Sequence, residues 1–172
     1  MFNSDIVRPG DILLYAGQGI IQALTFSKYG HAAIYSGDGN IIESHLDSNG
    51  VVEKELNQKW YDSIDIYRPL AVNATDSQKV VTWLRANAVD KIPYDIWSFF
   101  SKFVRSSLGY LAKWTGWRVA EPWLNNRKAW DCAETVAVAY LEAIRYQICK
   151  EVNVHSVTPG DLGRSSNLFR IS

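Results

Sequence analysis

The chain has 172 residues, enough for one domain with a full hydrophobic core, and 47% hydrophobic against 21% charged residues excludes a disordered chain. Eighteen basic and eighteen acidic residues cancel, so the chain as a whole carries no electrostatic footprint for a polyanion. Two cysteines, Cys132 and Cys149, are too few for a disulfide framework.

Met1 to Asp5 lacks a basic region followed by an apolar one, and no apolar run approaches the ~20 residues of a membrane span. A cytoplasmic protein is expected; a phage product or a protein delivered by a secretion machine would carry the same features. Pro9-Gly10 reads as a turn that introduces a short apolar strand, Asp11 to Ala16. Ile20 to Phe26 reads as a short helix. Gly30 then breaks the chain before a second strand, His31 to Ser36. Gly37-Asp38-Gly39-Asn40 is a hairpin turn whose glycines accept positive φ, and Ile41 to His45 returns as the third strand. Val51 to Leu56 and Ile64 to Tyr67 are further strands. Thr75-Asp76-Ser77-Gln78 resembles a helix cap, and Val80, Val81, Leu84 and Ala88 follow at helical spacing. Strands followed by helices predict an α+β class with a mainly antiparallel sheet. Near the end, Pro159-Gly160-Asp161 reads as another turn.

Trp130 to Val136 reads as a loop ending and a helix beginning. Asp131 suits the N-cap, and Glu134 stands three residues later, where a capping-box acid reaches back. Ala137, Leu141, Ile144 and Ile148 extend the helical spacing, so one continuous helix would hold Cys132 and Cys149 apart. In the first turn, free N–H groups and the helix dipole favour Cys132 as a thiolate, whereas a buried cysteine elsewhere is a small apolar filler. A cysteine nucleophile needs a base and the base an orienting partner. The histidines are His31, His45 and His155. His31 opens a strand, and a tight hairpin makes it a cross-strand neighbour of Glu43; Glu43 and His45 share a face, so spacing alone leaves both as partners for His31. Cys149, at the far end of the helix, is expected to be a structural thiol.

From Lys91 to Trp130 the chain holds seven basic and two acidic residues and five of its seven tryptophans. Ile96, Phe99, Phe100, Phe103 and Val104 make an apolar stripe there. The expectation is a mostly helical insertion at about 95–130, packed beside the groove that leads to Cys132. An anionic lipid surface or the wall of an extended substrate site is its functional alternative, with a nucleic-acid platform the least favoured. Cys132, Cys149, His31, His45 and His155 lack the close-paired spacings of a zinc site, and no glycine loop for phosphate occurs, so no metal or cofactor is expected.

Several of these pieces, in order, resemble a family. Gly30 to Gly39, then Ile42-Glu43 and Gly50-Val51, is similar to the histidine hairpin of the NlpC-like papain-fold superfamily. Here the hairpin precedes the cysteine helix, as in the circularly permuted branch of YiiX-like proteins and, more distantly, lecithin–retinol acyltransferases. Arg8-Pro9-Gly10-Asp11, Tyr94-Asp95, Cys132-Ala133-Glu134 and Thr158 to Leu162 match in the same order. Ala133 stands where serine is common, and the stretch from Tyr94 to Cys132 is long. The resemblance implies a single permuted papain-like domain over 1–172, an antiparallel sheet packed on the cysteine helix. It also implies Cys132 as nucleophile, His31 as base, Glu43 as orienting residue and Tyr94 near the oxyanion. The implied activity is a cysteine peptidase or amidase acting on a peptide or acyl-amide substrate, with cell-wall peptide as the substrate class. A lipid-directed thiol acyltransferase or amidase and a non-catalytic binding protein are the alternatives.

Overall fold

A computed structural model describes residues 6–16, 27–57, 63–95 and 129–172. The expected helix at Ile20 to Phe26 and nearly all of the expected insertion at about 95–130 lie outside those residues. Within them, six strands form one sheet: β1 (Ile12–Ala16), β2 (His31–Gly37), β3 (Asn40–His45), β4 (Gly50–Glu55), β5 (Ser63–Pro69) and β6 (Leu168–Arg170). Their order across the sheet is β4-β3-β2-β1-β5-β6, every pair antiparallel. The helices are α1 (Ala74–Asn87), α2 (Cys132–Ile144) and α3 (Pro159–Arg164), with one 3₁₀ turn at Val154–Ser156. The class is α+β. No helix among the described residues is long and apolar enough to cross a membrane.

The two-residue strand period sorts the sheet into two apolar faces. Ile12, Leu14, Ala32, Ile34 and Ile42 face Val80, Val81 and Leu84 of α1 and Val136, Ala137 and Tyr140 of α2. Leu13, Tyr15, Ala33, Tyr35, Ile41 and Ile66 cover the other face with Val7. Each large aliphatic side chain buried this way contributes about 1.5–3 kcal/mol before conformational entropy is counted. Every residue of α2 from Cys132 to Tyr140 is buried. A helix buried on all sides over that length, with only Glu134 and Thr135 polar in it, belongs in the centre of a fold.

Between β2 and β3 the turn carries Asp38 at φ 52° and Gly39 at φ 78°, the paired positive angles of a two-residue hairpin loop. At Pro9-Gly10 the glycine is obligatory: its φ is +92°, and a Cβ there would lie 2.7 Å from Ser77 Cβ of α1. Tyr140 of α2 donates its hydroxyl hydrogen to the Gly10 carbonyl, tying the first strand to the cysteine helix.

Three local expectations are corrected, and one strand is added. α2 stops at Ile144 and does not continue to Ile148. Arg145 takes a left-handed φ of 58° and its N–H bonds Leu141 O at 3.0 Å, the 5→1 bond of an αL cap, while Tyr146 N–H bonds Tyr140 O at 3.1 Å. Ile148 and Cys149 are buried beyond that cap and not on the helix. The cap of α1 is Asn73, whose side chain accepts from Asp76 N at 2.9 Å, so Thr75 is already inside the helix. Pro159-Gly160-Asp161 opens α3 and is not a plain turn: Thr158 and Asp161 form a capping box, and proline in the first helical turn lacks only an N–H that had no helical partner. β6 was not anticipated, because its three residues are too few to show alternation.

Candidate active site

Three elements converge where β2 begins and α2 begins. Asp131 caps α2, its side chain accepting from Glu134 N at 2.9 Å, which holds Cys132 at the first helical position. His31, the first residue of β2, sits at the sheet's end and forms a side-chain hydrogen bond with Cys132. His31 Nε2 lies 2.8 Å from Glu43 Oε2 on β3. With Nε2 facing Glu43, Nδ1 is the nitrogen left for the thiol. The Glu43 side chain is 2% exposed.

The register explains how His31 and Glu43 meet. Ile34 opposes Ile42 and Tyr35 opposes Ile41, so continuing that ladder sets His31 across from His45 and makes Glu43 its diagonal neighbour. The direct cross-strand pairing expected for positions 31 and 43 is therefore replaced by a diagonal one on the same face, within reach of a long side chain. His45 meets His31 ring to ring, edge-on with centroids 5.6 Å apart. Its Nδ1 accepts from Asp47 N at 3.2 Å. Tyr15, paired with His31 in the β1–β2 ladder, supplies a further ring at 5.3 Å.

Electrostatics follow from burial and pairing. Burial works against a charged imidazole at His31, but Cys132 and the Glu43 carboxylate outweigh it and push its pKa up to about 10. Burial likewise disfavours the Glu43 carboxylate, yet His31 and then Lys54 bring its pKa down to about 2. His45 is pushed down by burial and by the charge on His31, so it is the neutral member of the histidine pair. The Tyr94 phenol is held above its ordinary range by burial, then by the charges of Cys132 and Asp131; it stays protonated and able to donate.

The backbone that carries these groups is clamped. Ser44 Oγ donates to Trp130 O at 2.7 Å, and Trp130 N–H bonds Pro93 O at 3.0 Å. Tyr94 and Trp130 form a parallel bridge. Gly50 lets the Ile92-Pro93 backbone approach β4: a Cβ there would lie 2.4 Å from Ile92 O. Cys149 is buried and its thiol is pushed up to about 11, chiefly by burial.

Sequence reasoning missed two participants. Lys54 on β4 pairs with Glu43 Oε1 at 2.6 Å. The β3–β4 register, Glu43↔Val52 and Ile41↔Lys54, puts Lys54 on the face of Glu43, and a count outward from the His45–Gly50 turn would have located it. The second is His155, whose Nδ1 lies 2.6 Å from Oε1 of the fully buried Glu134. No local spacing signals that contact, because the 3₁₀ turn carrying His155 packs on α2 only in the folded chain. The Glu134 side chain, expected to reach back to its own helix start, is thus engaged by a distant partner.

These features define an antiparallel sheet with a buried Cys-His-Glu cluster at the start of its central helix. The chain has the fold of a solved protein of that shape. The crystal structure of the metalloprotein YiiX from Escherichia coli O157:H7 aligns with a TM-score of 0.63 over 96% of each chain, at 17% identity. No family model matches the sequence, and no curated protein does. Among the described residues no three His, Cys, Asp or Glu side chains converge as metal ligands, and His31 faces Glu43 and Cys132.

Proposed function

We propose that this protein is a cysteine hydrolase of the permuted papain-like, NlpC-like type, cleaving an amide bond in a peptide of the cell wall. The observation that carries the reading is His31 held between Cys132 and the buried Glu43 carboxylate. Glu43 accepts the Nε2 proton and fixes the tautomer, so Nδ1 faces the thiol and takes its proton. The Cys132 thiolate attacks the amide carbonyl carbon and forms the Sγ–C bond. The oxyanion is met by backbone N–H at the start of α2 and by the Tyr94 hydroxyl. Collapse breaks the C–N bond, and the imidazolium gives its proton to the leaving amine. Water, deprotonated by His31, then attacks the thioester and releases a carboxylic acid and the free thiol.

Incubation of purified sacculi with the protein tests this. Release of new amino groups by the wild type and none by Cys132→Ala is the expected result, with an acyl adduct on Cys132 visible by mass spectrometry. Binding to anionic liposomes with acyl transfer, and no release from sacculi, would favour a lipid-directed acyltransferase or amidase. Failure of every electrophilic probe to label Cys132 would leave a non-catalytic binding protein.

A further inference from the structure

Beyond the three residues that perform the chemistry, the Glu43 carboxylate has a second cation. Lys54 Nζ lies 2.6 Å from Oε1, while Oε2 faces His31 Nε2. The two partners occupy the two oxygens of one buried carboxylate, so neither oxygen can turn without breaking an ion pair. Lys54 reaches in from solvent: its side chain is 47% exposed, and it lines a cavity of about 560 Å³ with Tyr15, Ile41, Glu43 and His45. We propose that Lys54 is a positioning residue, which locks the Glu43 carboxylate toward His31 and shares its charge, and so sets the pH range over which the Cys132–His31 pair is reactive. The inference rests on the cysteine-nucleophile reading above.

Charged and titratable groups reach this cluster from each packed element: Tyr15 from β1, Glu43 and His45 from β3, Lys54 and Glu55 from β4, Asp47 from the β3–β4 turn, Tyr94 from the segment after α1, and Asp131 and Cys132 from the start of α2. Among them Lys54 is the group whose cation competes with His31 for the same carboxylate. Replacing it with a neutral side chain leaves Glu43's charge undivided, which stabilises the imidazolium. It also frees Oε1 to rotate, which costs orientation. The pH midpoint for His31 therefore moves up while the plateau rate falls.

The test is the rate of Cys132 alkylation by iodoacetamide against pH, in the full-length protein with Cys149→Ser throughout. Lys54→Met is expected to move the alkaline midpoint up by about half a unit or more and to lower the plateau rate several-fold. Lys54→Arg should restore both. Lys54→Gln serves as the second neutral variant if Lys54→Met does not fold. In a Glu43→Gln background the Lys54→Met change should have no further effect, because its action runs through that carboxylate. A profile unchanged by both neutral variants, an arginine that behaves like methionine, or a full Lys54 effect in the Glu43→Gln background would each overturn the proposal. Alkylation needs no substrate. A wild type inert toward sacculi but showing the predicted profile would sink the hydrolase reading and keep this one; normal hydrolysis with an unmoved profile would do the reverse.

Discussion

At the scale of single residues, the site is a competition between burial and charge. Burying His31 or Glu43 alone would drive each to its neutral form, yet His31 is held charged by Cys132 and by Glu43 2.8 Å away, and Glu43 by His31 and Lys54. Glu43→Gln keeps the shape and removes the charge, and its amide also presents a donor where Nε2–H already donates. Turnover should fall by about 10²-fold or more, whereas His45→Gln, which leaves the His31–Glu43 pair intact, should stay close to wild type; steady-state kinetics on one substrate separates them. The two cysteines should also part. With its thiol pushed up to about 11, Cys149 is a thiolate to about one part in 10⁴ at neutral pH. Mass-resolved alkylation at pH 7 should modify Cys132 first, and equal labelling would remove the case for an activated thiol.

At the scale of elements, helix ends and close backbone approaches decide where the site residues stand. Arg145 holds a left-handed φ of 58° without being glycine, which strains the cap of α2. Arg145→Gly should therefore raise stability by about 0.5–1 kcal/mol, read as a higher thermal midpoint with activity unchanged, since the cap is at the far end of α2 from Cys132. Gly50→Ala should act in the opposite sense. Its Cβ would collide with Ile92 O, and the segment it would push leads directly into Tyr94. A lower thermal midpoint together with a larger loss in kcat than in KM is the expected pattern, because the proposed mechanism uses Tyr94 at the oxyanion and not in ground-state binding.

At the scale of the whole molecule, the buried pair links folding to pH. Glu43 has a folded pKa of about 2, below its ordinary 4.5, so its contribution to stability is complete above that ordinary value and is lost as pH falls toward 2. His31 is raised from 6.5 to about 10, so its contribution is complete below 6.5 and is lost as pH rises toward 10. Urea unfolding across pH should show a plateau between these limits. In Cys132→Ala the His31 imidazolium loses its Cys132 partner, and the alkaline decline should begin at lower pH; an unshifted decline would mean that His31 and Cys132 are not electrostatically coupled.

Elements that are long, periodic or bounded by strong local signals can be read from the chain without its fold. The first five strands, the Asp38-Gly39 turn, the helix bearing Val80 to Leu84 and the Asp131 cap before Cys132 were all legible, because alternation, helical spacing and capping act over a few residues. The remainder rests on contacts between residues far apart in the chain. Whether Glu43 or His45 faces the His31 nitrogen depends on register, which the hairpin turn sets and a bulge between Tyr35 and Gly37 then shifts. The end of α2 at Ile144 depends on a cap made by backbone hydrogen bonds, where no glycine marks the stop. Lys54 reaches Glu43 across the β3–β4 ladder and His155 reaches Glu134 across 21 positions, and neither contact exists until the chain has folded. Local patterns could nominate Cys132, His31 and Glu43; the bonds that orient and charge them are long-range, and a buried carboxylate takes whichever cation the fold delivers.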